Sequence, residues 1–417
     1  MNTTAKDTAA MREDTNKIIE KAIAAVQPDK AVRRALEKAE LPEKVHLVAI
    51  GKAAYQMAKS AYACLGKQIT GGVVITKYGH SKGDIGSIRV FEAGHPVLDE
   101  NSILATEQVL KEVSGLTEKD AVVFLVSGGG SALFEKPLVS LNELQNINKQ
   151  LLACGADITE MNTLRKRLSA VKGGRFALAC TPAKVFSIIL SDIIGAPLDM
   201  IASGPAYPDS TTSTDALAII EKYGLKLSPE AIELMMQETP KELNNVETYV
   251  TGSVRELCAA AEKTAWELGY EPVVLTDSLC CAAKEAGSFL ASIARYQANT
   301  GKSLAFIAGG ETVVHLTGTG LGGRNQELAL AAAEGITGLK DVCLFSIGSD
   351  GTDGPTDAAG GIVDGTTKTT LKAQGISIPA VIKYNDSYHA LEKCDGLVMT
   401  GPTGTNVNDL CVLLIKR

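Results

Sequence analysis

The sequence lacks an excess of positive charge, and this restricts the partners it can bind. Its 417 residues carry a formal net charge of −7 at pH 7. A protein that binds nucleic acid needs a basic face to displace counterions from phosphates, so the charge argues against such a partner. A small anionic ligand remains compatible with it, because a few local Lys and Arg residues suffice.

Long apolar runs and patterned cysteines are missing as well. Apolar runs such as Ala121–Val126 are far shorter than the ~18–20 residues of a membrane helix. Met1–Thr15 carries charge and no apolar core, so no signal peptide is predicted. The nine cysteines include no C-x-x-C pair, which fits buried thiols in a reducing compartment. The sequence therefore predicts a soluble cytoplasmic protein with no membrane partner.

Several catalytic signatures are absent. There is no G-x-x-x-x-G-K-[ST] loop, no HRD or DFG element, no G-x-S-x-G elbow and no H-E-x-x-H motif. These absences exclude P-loop enzymes, protein kinases, α/β-hydrolases and zinc metalloproteases of the H-E-x-x-H type. The five histidines show no metal-ligand spacing. Only His95, in the segment AGHP, is kept as a candidate site residue, with a turn histidine as the alternative.

Glycine is abundant, with 40 residues, and it falls between short apolar strands and amphipathic helices. Val45–Ile50 leads into Gly51-Lys52 and a helix, and Ala121–Val126 ends in S-G-G-G-S. Such alternation predicts an α/β fold with a mostly parallel sheet covered by helices on both faces. The pattern restarts after a polar stretch, so we predict two α/β domains, over residues 1–244 and 245–417.

Chemistry-bearing residues cluster where the predicted strands end, which is where open parallel sheets bind ligands. One cluster offers consecutive glycine N–H groups between two hydroxyls, and this backbone can form an anion-binding nest. Its members are Ser127, Gly128, Gly129, Gly130 and Ser131. The alternative is a tight turn between strand and helix.

Two cations lie at the predicted starts of helices. Lys52 follows the first strand, where the helix dipole favours an anion; a solvated lysine is the alternative. Arg324 and Asn325 follow Gly318, Gly320 and Gly323, which match G-x-G-x-x-G. That match suggests a dinucleotide-binding site. However, the side chain of Arg324 would contact the phosphates directly, and this suits the stabilisation of a transferring phosphoryl group better than dinucleotide binding.

Five carboxylates lie near the glycine loops and are candidates for Mg²⁺ ligands or a general base. They are Asp192, Glu311, Asp350, Asp353 and Asp357. Turn capping by Asp is the alternative for each of them. A basic run, N-T-L-R-K-R-L-S-A-V-K-G-G-R, lies at residues 162–175. It is interpreted as a solvated helix face, although Lys172 and Arg175 could instead close over an anion.

In chain order, seven motifs match one family: AIGKAA at 49–54, AGHPVLDENS at 93–102, SGGGSAL at 127–133, LSDIIGAPLDMIASGP at 190–205, AGGETVVHLTGTGLGGRNQELAL at 308–330, GSDGTDGPTDAAGGIVD at 348–364 and TGPTGTNVNDL at 400–410. Over nearly its whole length the chain resembles the MOFRL-containing glycerate 2-kinases.

The resemblance implies an N-terminal Rossmann-like domain, a smaller C-terminal α/β domain and an active site in the cleft between them. It also implies that ATP and D-glycerate give ADP and 2-phosphoglycerate with a divalent metal, and that Lys52 and Arg324 engage substrate and transferring phosphate. Some family members carry the label hydroxypyruvate reductase.

The motifs and the family resemblance together predict the residues of the active site. Lys52, Arg324 and the base candidate Asp192 are predicted as catalytic, Ser127–Ser131 and Asn325 as phosphate- or substrate-binding, and Glu311, Asp350 and Asp353 as Mg²⁺ ligands. The rival function is an NAD(P)-dependent reductase of hydroxypyruvate or tartronate semialdehyde, built on Gly318–Gly323. The oligomeric state stays open.

Overall fold

The computed structural model describes residues 3–190 and 198–417, with side chains described from residue 10 onward. The described chain forms two compact units. Residues within 28–251 make up the first, which we call the parallel-sheet unit. Residues 3–27 and 252–417 make up the second, the mixed-sheet unit.

The strands, in chain order, are β1 (Val45–Ile50), β2 (Ile69–Lys77), β3 (Ile88–Ala93), β4 (Ala121–Val126), β5 (Lys184–Leu190), β6 (Val246–Thr251), β7 (Glu271–Leu279), β8 (Leu304–Gly310), β9 (Val342–Gly348), β10 (Gly360–Asp364), β11 (Leu397–Val398) and β12 (Asp409–Ile415). The helices are α1 (Thr3–Ala25), α2 (Pro28–Leu36), α3 (Ala54–Leu65), α4 (Glu100–Glu112), α5 (Gly130–Leu133), α6 (Leu141–Ala153), α7 (Ile158–Arg167), α8 (Arg175–Ala179), α9 (Ser213–Tyr223), α10 (Pro229–Met236), α11 (Val254–Glu267), α12 (Ala283–Tyr296), α13 (Arg324–Ile336), α14 (Thr367–Ala373), α15 (Ile378–Tyr384) and α16 (Ser387–Glu392). Short 3₁₀ helices lie at Gly66–Gln68 and Ile201–Ser203.

The parallel-sheet unit has the order β3-β2-β1-β4-β5-β6 in its described part, and every neighbouring pair is parallel. Strand β4 is buried at every residue, as a strand with both faces covered must be. This order is characteristic of doubly wound, Rossmann-like sheets, so the predicted fold of this half is confirmed. The chain reverses its direction of winding between β1 and β4, and this switch point positions the site.

The mixed-sheet unit has the order β11-β10-β9-β12-β8-β7. Only β7 and β8 pair in parallel; the other described pairs are antiparallel. Helix α1 packs in this unit: Asp14 accepts a hydrogen bond from the Tyr270 hydroxyl at 2.8 Å and pairs with Lys416 at 3.1 Å. The structure thus groups α1 with residues 252–417, whereas the sequence prediction counted residues 1–244 as one domain.

Local capping sets several helix starts. The sequence predicts a helix capped by Asp99, and the Asp99 carboxylate accepts from the Ser102 N–H at 3.0 Å at the start of α4. The spacing of Ser140 and Glu143 predicts a capping box, and Ser140 does accept from the Glu143 N–H at 3.2 Å at the start of α6. The reciprocal half of that box is wrong, because the Glu143 carboxylate accepts from the Ser228 N–H at 2.8 Å instead.

The sequence also predicts a strand over Thr312–Leu316, a short segment that contains two valines. The structure shows only an isolated bridge there, between Ala282 and Val313. This prediction is wrong, so the G-x-G-x-x-G pattern does not follow a strand of the sheet. None of the described helices is long and apolar enough to cross a membrane, and all nine cysteines are free thiols.

Candidate active site

The turns after β1 and β4 lie side by side at the switch point of the parallel sheet. Gly51 has a φ of +112°, and a Cβ added there would lie 2.3 Å from the Ser127 Oγ. The Lys52 N–H donates to the Gly128 carbonyl oxygen at 2.9 Å. Only glycine fits at position 51, because both its backbone conformation and the approach of the neighbouring turn exclude a side chain.

Ser127 holds these two turns together. Its hydroxyl donates to the Ile50 carbonyl oxygen at 3.2 Å and accepts from the Ala53 N–H at 3.1 Å. The residue is 2% exposed. Its predicted role in binding therefore takes an indirect form: Ser127 positions the turns and its hydroxyl is already engaged.

Gly129 gives the second turn its shape. It has a φ of +88°, and an added Cβ would lie 2.9 Å from the His95 ring and 3.2 Å from the Lys52 Cγ. Within the described chain, the N–H groups of Gly128 and Gly129 donate to no protein acceptor. Unsatisfied N–H groups in such a turn favour an anion, and the anion site remains a prediction.

Lys52 and His95 flank this turn. Lys52 is partly buried and forms no ion pair with a described residue. Burial lowers the pKa of His95, and the nearby charges of Lys52 and Lys77 lower it further. His95 therefore stays neutral at pH 7, so Lys52 supplies the positive charge beside the glycine turn.

Arg324 begins α13 in the mixed-sheet unit and is held by two carboxylates. Its Nε and one terminal nitrogen donate to Asp409 at 2.6 and 3.0 Å, and the other terminal nitrogen pairs with Glu311 at 2.9 Å. Burial alone would lower the pKa of Arg324, but the bonds and charge of Asp409 outweigh it and raise that pKa. A guanidinium has five N–H groups, so two remain after these three bonds within the described chain.

Asp353 caps the start of α13. Its carboxylate accepts from the Asn325 N–H at 3.2 Å and from the Gln326 N–H at 2.8 Å. Burial raises the pKa of Asp353 to about 6, although the two backbone bonds oppose the rise. Both oxygens are thus used in satisfying the open N–H groups of a helix start.

Asn325 is also buried, at 1% exposed. Its side-chain oxygen accepts from the Ser346 hydroxyl at 2.6 Å, and its amide nitrogen lies 3.4 Å from Asp353. The side chain therefore anchors the helix start beneath Arg324, and its predicted contact with substrate remains a prediction.

The remaining predicted carboxylates do not form a ready-made metal centre. Asp350 accepts from the N–H and hydroxyl of Thr352 at 2.9 and 3.1 Å, and Asp357 accepts from the Tyr388 hydroxyl at 2.8 Å. Among the described residues, no group of three His, Cys, Asp or Glu side chains could hold a metal ion. Asp192 lies outside the described residues.

Several N–H groups of the G-x-G-x-x-G loop donate to the protein, those of Thr317, Gly318, Gly320 and Leu321. Asn385 accepts from the N–H groups of Thr317 and Gly318 at 2.8 and 2.9 Å, and the Tyr384 carbonyl oxygen accepts from the Gly320 N–H at 2.9 Å. A Cβ on Gly318 would lie 2.3 Å from that same carbonyl oxygen. The glycines therefore serve close packing, and the loop lacks the open N–H cradle that a dinucleotide pyrophosphate needs.

The basic run at residues 162–175 is buried, so its interpretation as a solvated helix face is wrong. Lys166 lies between Asp199 and Asp209 at 2.8 and 3.0 Å, and Arg167 pairs with Asp209 at 3.5 Å. Lys172 donates to the Ser131 carbonyl oxygen at 2.8 Å and pairs with Glu135. Most of these charges are structural; Lys172 in particular holds the end of the glycine turn.

We expect the cap of α13 to make stability depend on pH. Because the pKa of Asp353 is raised in the folded protein, the folded state keeps a proton there that the unfolded chain releases between about pH 4 and pH 6. Stability from this group is therefore present below that window and is lost as pH rises through it. Raising the pH from 5 to 7 should lower the melting temperature of the wild type relative to that of Asp353→Asn.

Thermal melts of both proteins at several pH values test this. Asp350→Asn is the matched control, a partly exposed carboxylate of the same loop, and should track the wild type. A melting-temperature difference between wild type and Asp353→Asn that stays constant from pH 5 to 7 would contradict the assignment.

Comparison with known proteins identifies the family. Residues 14–237 match a family described as a domain of unknown function, DUF4147, and residues 304–409 match the MOFRL family. A Thermotoga maritima protein named D-glycerate 2-kinase is 54% identical over 415 residues, covering 98% of this chain and 99% of that protein. This chain belongs to the MOFRL-containing glycerate 2-kinase family. The crystal structure of the glycerate kinase from Thermotoga maritima matches with a TM-score of 0.95 and 54% identity, covering 98% of this chain and 100% of that one.

Names within the glycerate 2-kinase family are not uniform. A relative from Agrobacterium vitis, 39% identical and covering 97% of this chain and 94% of that protein, is provisionally named a hydroxypyruvate reductase. This name corresponds to the rival function considered from the sequence. The geometry of the loop at 317–323, in which four N–H groups already donate to the protein, gives that rival no support in this chain.

Proposed function

We propose that this protein transfers the γ-phosphoryl group of ATP to the 2-hydroxyl of D-glycerate, giving ADP and 2-phosphoglycerate. The observation that carries the proposal is the Lys52 side chain beside the N–H groups of Gly128 and Gly129 at the switch point of a parallel sheet, all without a partner among residues 3–190 and 198–417. Ligands bind at such switch points, and a family relationship to a D-glycerate 2-kinase supplies the reaction.

The turn of the parallel-sheet unit provides the first set of contacts. The N–H groups of Gly128–Gly130 and the hydroxyl of Ser131 would donate to anionic oxygens, and Lys52 would add a mobile positive charge. Phosphoryl transfer needs positioning and charge stabilisation more than covalent help from the protein. The turn provides the positioning, since the hydroxyl of Ser127 already fixes it, and Lys52 provides the charge.

Arg324 would stabilise charge on the transferring phosphoryl group. Asp409 accepts two parallel hydrogen bonds from one edge of the Arg324 guanidinium. These bonds fix the plane of the guanidinium and orient its remaining N–H groups. A preoriented arginine is suited to the charge that spreads over the transferring oxygens. Asn325 and Asp353 would contribute indirectly, by fixing the start of α13.

A magnesium ion fits this chain only with help from the nucleotide. Mg²⁺ usually takes one or two protein carboxylates, with substrate phosphates and water completing its shell. Glu311 and Asp350 each have one carboxylate oxygen with no described hydrogen-bond partner, so we propose these two as ligands. Asp353 is left out, because both of its oxygens are used in capping. When bound, the ion would neutralise charge on the β- and γ-phosphates.

Two further assignments complete the proposal. Asp192 remains the proposed base at the glycerate hydroxyl, on sequence grounds alone. We place the enzyme in the cytoplasm, because nine free thiols suit a reducing compartment.

A coupled assay separates this function from its rival. The purified protein is mixed with D-glycerate and either Mg-ATP or NAD⁺, and ADP release and NADH absorbance are followed. We expect glycerate-dependent ADP release, with ³¹P NMR showing the phosphate on the 2-position. NADH formation without ADP release would overturn the proposal, and phosphate on the 3-position would correct its regiochemistry.

A further inference from the structure

A second feature of the parallel-sheet unit lies next to the glycine turn. A cavity of about 480 Å³ opens there, within the range of small-molecule sites. Gly129 and Ser131 form part of its wall, together with Glu135 and Arg165. One wall of the cavity is therefore the turn to which we assign the phosphates.

Arg165 is a largely buried cation without a carboxylate partner. Its Nε donates to the Asn148 side-chain oxygen at 2.8 Å, and within the described chain no carboxylate lies within ion-pair distance of it. Burial lowers the pKa of Arg165, and the charge of Glu135 only partly opposes this. Buried cations are normally paired, so an unpaired guanidinium on a cavity wall favours an anionic ligand.

Glu135 is the complementary group. It is 3% exposed and one oxygen pairs with Lys172. The other oxygen, Oε1, is buried and has no hydrogen-bond partner in the described chain. A buried oxygen left unsatisfied costs free energy. Oε1 has almost no accessible surface, so a ligand hydroxyl would reach it after a small rotation of the Glu135 carboxylate, and the new hydrogen bond would remove that cost. Lys172 already offsets the negative charge, so Glu135 does not cancel the charge of Arg165.

We propose that this cavity is the acceptor site, in which Arg165 binds the carboxylate of a small hydroxy acid and Glu135 Oε1 accepts a hydrogen bond from a hydroxyl of that acid. The assignment rests on the proposed kinase function and names the residues that select its acceptor. It places the acid between an arginine and a carboxylate, against the wall that carries Gly129 and Ser131. The site recognises a carboxylate and a hydroxyl on the same molecule, so an alcohol without the carboxylate is a poor substrate.

Two variants test Arg165 from opposite directions. R165Q removes the charge, and N148D leaves Arg165 in place but sets a competing carboxylate on its Nε. N148D adds an ion pair with Arg165 and should therefore not destabilise the folded protein. It keeps the proposal testable if R165Q fails to fold. Charge-assisted hydrogen bonds are the strong ones, so each variant should raise KM for D-glycerate about tenfold or more and leave KM for ATP within about twofold.

The readouts distinguish failure of this assignment from failure of the function. KM for D-glycerate and for ATP is measured for wild type, both variants and R89Q, the matched control: an exposed arginine paired with Glu112 outside the cavity. Glycerol is tested in parallel, and the preference for glycerate over glycerol should fall in both variants. Direct binding of D-glycerate by calorimetry gives a readout that does not depend on turnover.

Each outcome decides one question. An active wild type whose folded N148D variant keeps its KM and its calorimetric affinity for D-glycerate would overturn the acceptor-site assignment. A wild type without glycerate-dependent ADP release would overturn the proposed function instead. A tenfold rise in KM for ATP in either variant would assign the cavity to the nucleotide and contradict the acceptor assignment.

Discussion

Replacing Arg324 by alanine should lower kcat by roughly 10²–10³-fold, because losing one preorganised charge donor costs about that much. The substitution also leaves the buried carboxylate of Asp409 without its partner, so we expect a lower melting temperature as well, and kcat is compared on protein that is still folded. The loss should appear in kcat more than in the KM for D-glycerate. Steady-state kinetics with a coupled ADP assay measure both, and circular dichroism checks the fold.

Three further variants test whether the loss of kcat comes from the charge and orientation of the Arg324 guanidinium. Arg324→Lys keeps the charge but cannot form the paired bonds to Asp409, so we expect most of the loss to persist. Asp409→Asn should cost less than Arg324→Ala, since the arginine stays but is oriented less well. Arg255→Ala is the control, an arginine with an 83% exposed side chain and one carboxylate partner, and should behave as wild type. Near-normal turnover of Arg324→Ala would show that the arginine has no part in the transfer.

Replacing Lys52 by methionine should cause the second large loss, again roughly 10²-fold in kcat/KM for ATP. Methionine retains the length and packing of the aliphatic chain beside Gly129 and removes only the charge. Because Lys52 is unpaired in the described chain, no carboxylate is left buried without a partner. The loss should therefore appear in catalysis without a large change in melting temperature.

Lys59→Met is the matched control for this substitution. Lys59 is exposed on α3, the helix that begins directly after Lys52. Its variant should keep the kcat/KM of the wild type. Equal losses in the two variants would mean that general surface charge, rather than Lys52 itself, attracts the nucleotide.

Much of the parallel-sheet unit could be predicted from the sequence. Val45–Ile50 and Ala121–Val126 are short apolar runs followed by glycine, and both are strands with the predicted bounds. Their pattern is local, because a buried parallel strand reads as a continuous apolar run. Thr312–Leu316 shows the limit of this approach, because five residues rich in β-branched side chains fit a loop as well as a strand.

The site was harder to predict, because its decisive contacts join distant residues. Asp409 lies 85 positions from Arg324 and was not predicted, although Asn408-Asp409 before the last apolar strand was a visible polar interruption. Lys166 and Arg167 look like a solvated run, yet they are buried because Asp199 and Asp209 approach them from other segments. An ion pair between residues far apart in the chain produces no periodic pattern in the sequence. The spacing of Lys166 and Arg167 therefore could not show whether their charges are buried or exposed.

The most direct test of the central claim is a crystal structure with a non-hydrolysable ATP analogue, Mg²⁺ and D-glycerate. We predict that the Lys52 ammonium contacts a phosphate oxygen of the bound nucleotide, that the N–H groups of Gly128 and Gly129 are directed at an anionic oxygen, and that the Arg324 guanidinium contacts a phosphate oxygen as well. A nucleotide bound without contact to either side chain would contradict the account.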